Sequence, residues 1–96
     1  MKKLKLLERF TKINKTQTYF VVKEDEDRYG GGDQSAFYGT GEQVIEELKS
    51  SFNYDHWKED QKESGEAINL KAFLEWVWYV NGDGYDYFMI YNHRKS

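Results

Sequence analysis

Ninety-six residues, 39% hydrophobic and 18% aromatic, with no proline and no cysteine, suffice for one domain spanning 1–96 and exclude disulfides, thiolate metal centres and cysteine nucleophiles. No apolar run approaches the roughly 20 residues that cross a bilayer, and Met1-Lys2-Lys3-Leu4-Lys5 lacks the apolar stretch of a secretion signal. The expectation is a soluble, cytoplasmic chain with no membrane partner. The net charge of −3 is unevenly spread. Lys2, Lys3, Lys5, Arg9, Lys12, Lys15 and Lys23 face only Glu8 in the first quarter, whereas acids dominate from Glu24 to Glu63 and the remainder is near neutral.

In chain order, Leu4 to Ile13 reads two ways. Leu4, Leu7, Phe10 and Ile13 suit a helix, while Leu4, Leu6, Phe10 and Thr11 suit a strand. The strand is preferred because Thr16 to Lys23 is rich in Thr, Tyr, Phe and Val, and Asn14-Lys15 supplies a turn. The prediction is an opening β-hairpin. Glu24 to Asp27 and Gly30-Gly31-Gly32 predict a loop, and Ser35 to Tyr38 a short strand. Thr40 followed by Gln43 is a capping-box pattern. It opens a helix with Val44, Ile45, Leu48 and Phe52 on one stripe and Glu42, Glu46, Glu47 and Lys49 pointing away. Asn53 to Gly65 reads as a loop or a short helix, with Tyr54 and Trp57 as its only large apolar groups. Asn69 then caps a helix carrying Leu70, Phe73, Leu74, Val77 and Trp78, with Gly82 as its stop; a strand over Trp76 to Val80 is the alternative. A last strand alternates Tyr85, Tyr87, Met89 and Tyr91 with Asp86, Phe88, Ile90 and Asn92. The fold class is α+β: a small antiparallel sheet of three to four strands with one or two helices packed on one face.

Groups able to carry chemistry are sparse. His56 shares a helix face with Glu59 and Asp60, but no second ligand-rich segment completes a metal site, and His93 lies near the terminus. Asn81-Gly82-Asp83-Gly84-Tyr85-Asp86 resembles a calcium loop, yet Tyr85 breaks its alternation and the twelfth position is Asn92. Gly30-Gly31-Gly32 sits among acids that repel phosphate. Gly39-Thr40-Gly41 lacks the third glycine of a dinucleotide fingerprint, and Glu42, Glu46 and Glu47 crowd the helix that follows. No nucleophile motif is present. The chain is therefore expected to be no enzyme and to take no cofactor and no metal.

Eight of the nineteen residues from Phe73 to Tyr91 are aromatic, more than one small core needs, so some are expected at the surface. Asp25, Glu26, Asp27, Asp33, Glu46 and Glu47 are candidate partner-binding residues that imitate nucleic-acid phosphates, and Trp76 and Tyr79 are candidate anchors. In length, acidity and cysteine-free composition the chain resembles small acidic inhibitors encoded by phages and mobile elements, of the anti-CRISPR and DNA-mimic type. That resemblance implies inhibition of a basic, nucleic-acid-binding host protein. The basic segment from Met1 to Lys23 departs from a pure DNA mimic. Alternatives are an immunity or antitoxin-type protein, or a single-stranded nucleic-acid binder whose basic first hairpin tracks phosphates while Tyr19, Phe20 or the terminal tyrosines stack on bases.

Overall fold

The structure, a computed structural model, describes residues 5–24, 34–81 and 87–93. Among these residues four strands form one antiparallel sheet: β1 (Lys5–Leu6), β2 (Thr18–Glu24), β3 (Gln34–Thr40) and β4 (Tyr87–Asn92), in the spatial order β1-β4-β2-β3. Three helices, α1 (Gly41–Ser51), α2 (Tyr54–Ser64) and α3 (Leu70–Val80), lie between β3 and β4 in sequence. The α+β class and the four-stranded antiparallel sheet are as expected; the helices number three rather than one or two, because Asn53 to Gly65, which reads as a loop or a short helix, forms α2.

The opening hairpin is not formed. β1 has two residues and pairs with β4 rather than β2, through Lys5 opposite Asn92 and Leu6 opposite Tyr91. Phe10–Lys12 is a short 3-10 helix. The three-residue spacing of Leu7, Phe10 and Ile13 prevails over alternation because it sends Leu7 and Phe10 into the core, with Ile13 packed against it. Residues 14–17 do turn, as their sequence predicts. The Asn14 side chain accepts from the Thr16 N–H at 3.0 Å, and the Gln17 N–H donates to the Asn14 carbonyl at 3.1 Å. The turn leads out of the 3-10 helix into β2.

That turn also closes the start of α1. Thr40 and Gln43 form the reciprocal capping box, while the Gly41 and Glu42 N–H groups donate to the Gln17 and Lys15 carbonyls at 2.8 and 3.2 Å. The contact is so close that a Cβ on Gly41 would overlap the Asn14 carbonyl. The first-turn donors that could hold an anion are thus already taken.

α2 owes its ends to two left-handed residues. Asn53 (φ 50°) caps it by accepting from the His56 N–H at 3.3 Å, and Gly65 (φ 70°) terminates it. Asn69 caps α3 through the Ala72 N–H at 2.8 Å. Gly82, its expected stop, lies outside the described residues. The core gathers Tyr19, Val21, Phe88 and Ile90 from one face of the sheet against Val44, Ile45, Leu48, Phe52, Trp57, Phe73, Leu74 and Val77 from the helices. Trp57 meets Phe73 edge-on at 5.3 Å on one side of α3, and Phe10 meets Trp78 edge-on at 5.0 Å on the other. All the helices therefore sit on one face of the sheet.

Candidate functional site

Among the described residues no helix lies over the second face of the sheet. Strand alternation puts Tyr19 and Val21 of β2 in the core, so Thr18, Phe20, Val22 and Glu24 point the other way. The register then fixes their neighbours. One row runs Leu6, Tyr91, Phe20, Tyr38 across all four strands, and the next runs Met89, Val22, Ala36. Phe20 contacts Tyr38 at 4.8 Å and Tyr91 at 6.2 Å between ring centroids. His93 stands edge-on to Tyr38 at 5.1 Å, and the Tyr91 hydroxyl donates to the Met89 sulfur at 3.8 Å. Leu6 is 50% exposed and Tyr38 61% exposed. These side chains pack against one another while leaving part of their apolar surface exposed.

The electrostatics of this face are one-sided. Among the described residues it carries no lysine or arginine, and Glu24 marks one end, where its carboxylate accepts from Gln34 at 3.1 Å. Glu24 and Gln34 are paired neighbours, and the chain joining them holds Asp25, Glu26, Asp27 and Asp33. Those four candidates lie outside the described residues. The face is thus aromatic at its centre, with an acidic connection attached at one end.

The other candidates are dispersed. Glu46 is exposed on α1 and pairs with Lys49 at 3.6 Å; Glu47 pairs with Lys23 of β2 at 3.6 Å. Both acids are offset by cations of the same chain, which weakens them as phosphate mimics. Trp76 is half-buried, with its ring within 6.4 Å of the centroids of Phe52, Trp57 and Phe73. It braces α3 against α2 and the end of α1. Tyr79 is 85% exposed and borders a groove of about 360 Å³ lined by Arg9, Phe10, Thr11, Glu75 and Trp78. Tyr19, expected to be free to stack on bases, is buried, and its hydroxyl accepts from the Asn14 N–H at 2.7 Å. Phe20, Val21 and Val22 beyond it are all apolar, so local sequence leaves open which parity of β2 meets the helices.

His56 lies 3.5 Å from Asp60 on α2, both side chains exposed. Among the described residues no group of three His, Asp or Glu side chains is placed to hold a metal. Near the basic end, the Lys12 ammonium, hydrogen-bonded to Glu8 at 3.0 Å, holds the Glu8 carboxyl below its usual range. No helix among the described residues is long and apolar enough to cross a membrane. Comparison with protein-family models, curated proteins and solved structures returned no match.

Proposed function

We propose that this chain is a non-catalytic protein-binding module that acts through the uncovered face of its sheet. The observation that carries the reading is the row Leu6, Tyr91, Phe20, Tyr38, laid across four strands whose opposite face is filled by helices. Aromatic side chains held by their neighbours have little conformational freedom to lose on binding, and an apolar centre beside a charged margin is the usual anatomy of a recognition surface. The acidic connection between β2 and β3 selects for basic character in the partner and speeds encounter. The partner class is a basic, nucleic-acid-binding protein, and the role is that of an inhibitor that occupies its surface.

A second reading has one specific observation in its favour: three rings on an antiparallel sheet form a platform on which single-stranded bases can stack. Electrostatics rank it lower. A nucleic-acid surface draws most of its affinity from lysine and arginine, and the described part of this face has neither.

The two readings separate in one set of measurements. The wild-type chain and its Leu6→Lys, Tyr38→Ser and Tyr79→Ala variants are used to capture proteins from a host lysate, and are titrated with single-stranded oligonucleotide. The protein-binding reading expects a basic protein whose capture falls at least about 10-fold, ~1.4 kcal/mol, in Leu6→Lys and Tyr38→Ser but not in Tyr79→Ala. Salt-sensitive oligonucleotide binding lost in Tyr38→Ser would favour the second reading. Capture lost only in Tyr79→Ala would refute both.

A further inference from the structure

We infer that the chain forms a two-fold dimer by pairing β3 with β3 of a second copy. The inference concerns an edge of the sheet rather than its face and does not rest on the proposed function. The hydrogen-bonding parity of the sheet is fixed at two points. Gly41, continuing β3, donates to Gln17 of the β2 side at 2.8 Å, and His93, continuing β4, donates to Thr18 at 3.3 Å. With the observed registers, odd-numbered residues of β3 bond to β2, so the N–H and C=O groups of Gln34, Ala36 and Tyr38 point outward from the edge. Among the described residues none of these backbone groups has a partner.

Edge strands are ordinarily guarded by charge, proline or a covering side chain, and the far side of this sheet shows what such a guard looks like. There Leu7 donates to the Ile90 carbonyl at 2.8 Å, extending β1 along β4. Beyond it the Asn81 carboxamide takes both backbone groups of Phe88, donating to its carbonyl at 2.9 Å and accepting from its N–H at 3.0 Å. Among the described residues β3 has no such device. All seven of its residues, Gln34-Ser35-Ala36-Phe37-Tyr38-Gly39-Thr40, are uncharged.

The sequence of β3 suits a copy of itself. An antiparallel pair centred on Ala36 sets Ala36 against Ala36, Gln34 against Tyr38 and Ser35 against Phe37. Every outward N–H and C=O of Gln34, Ala36 and Tyr38 is then satisfied in both chains. No like charges meet, and a small side chain, that of Ala36, lies on the axis. A pairing of identical strands about a two-fold axis is closed. With the far edge occupied by β1 and Asn81, growth stops at two chains, and the two open faces join in one eight-stranded sheet in which each Tyr38 lies beside Gln34 of the second copy.

The test is sedimentation equilibrium of the full chain over a wide concentration range, with amide hydrogen exchange read at single residues. The dimer predicts a mass that rises to twice that of the chain, and amides of Gln34, Ala36 and Tyr38 whose exchange slows as concentration rises, while those of Ser35 and Phe37 stay protected throughout. Ala36→Lys sets two ammonium groups together on the axis and Ala36→Pro deletes the central donor; each, checked as folded by near-ultraviolet circular dichroism, sediments as a monomer. A wild-type chain that stays monomeric, or a dimer that persists in a folded Ala36 variant, would overturn the inference. Because exchange is read on the unaltered chain, the outcome is decided even if a variant misfolds.

Discussion

Individual residues divide sharply by what surrounds them. Phe73 is fully buried and meets Tyr54, Trp57 and Trp76 within 6.1 Å, so Phe73→Ala removes both transfer energy and the rings' common support. The expected loss is about 3–5 kcal/mol, seen as a lower midpoint in urea unfolding. Tyr79, 85% exposed, has no such support, and Tyr79→Ala is expected to stay within about 0.5 kcal/mol of wild type in the same experiment. Asn81 is polar but structural. Asn81→Leu leaves both Phe88 backbone groups unpaired at a partly buried site, and about 1–3 kcal/mol of destabilisation follows for each group left unsatisfied. Slower unfolding, or no change, in Asn81→Leu would contradict the guarding role assigned to its carboxamide. Neither Trp76 nor Asn81 could be placed from composition alone. Trp76 lies off the main stripe of α3, and only α2, whose existence was open, brings Trp57 alongside it. The carboxamide of Asn81 meets Phe88 across a connection whose path no local pattern specifies.

At the scale of elements, legibility follows the number of independent local signals. α1 had three: the Thr40–Gln43 box, the stripe Val44, Ile45, Leu48, Phe52, and acids on the outer face. All three appear in the structure. Thr40→Ala is expected to cost about 1 kcal/mol, measured by thermal or urea unfolding. α3 had its Asn69 cap and a five-residue apolar stripe, which outweighed the β-forming run Trp76 to Val80 because caps and period agreed. α2 had only Tyr54 and Trp57 as apolar contacts. Its caps, Asn53 in the left-handed region and Gly65 after the last turn, were the signals present in the sequence that carried most weight. Asn tolerates positive φ better than alanine does, so Asn53→Ala both strains the backbone and deletes the cap, whereas Asn53→Gly is expected to be the milder change. The first twelve residues were least legible. β1 is two residues long and its partner, β4, lies at the other end of the chain, a pairing set by tertiary packing rather than by neighbours in sequence.

At the scale of the whole molecule, the same topology produces both surfaces proposed for recognition. Placing α1, α2 and α3 consecutively between β3 and β4 sends every helix to one face and leaves the aromatic row Leu6, Tyr91, Phe20, Tyr38 in water. The acidic bias of the middle of the chain was legible from the sequence, as was an excess of aromatic residues. The location of the exposed rings was not, because it depends on which parity of β2 meets the core. Reversing Asp25, Glu26 and Asp27 to lysine is expected to slow partner association, and added salt to act on the wild type in the same direction. Stopped-flow or surface-capture kinetics would show it as a reduced association rate with a nearly constant dissociation rate.

The proposed recognition surface is the open sheet face and not the outer surface of α3. Tyrosine-selective labelling of the free and partner-bound chain tests it most directly. Recognition through the sheet face predicts that Tyr38 is labelled in the free chain and protected in the complex, with Tyr19 unreactive in both and Tyr79 reactive in both. Protection of Tyr79 with Tyr38 still reactive in the complex would contradict it.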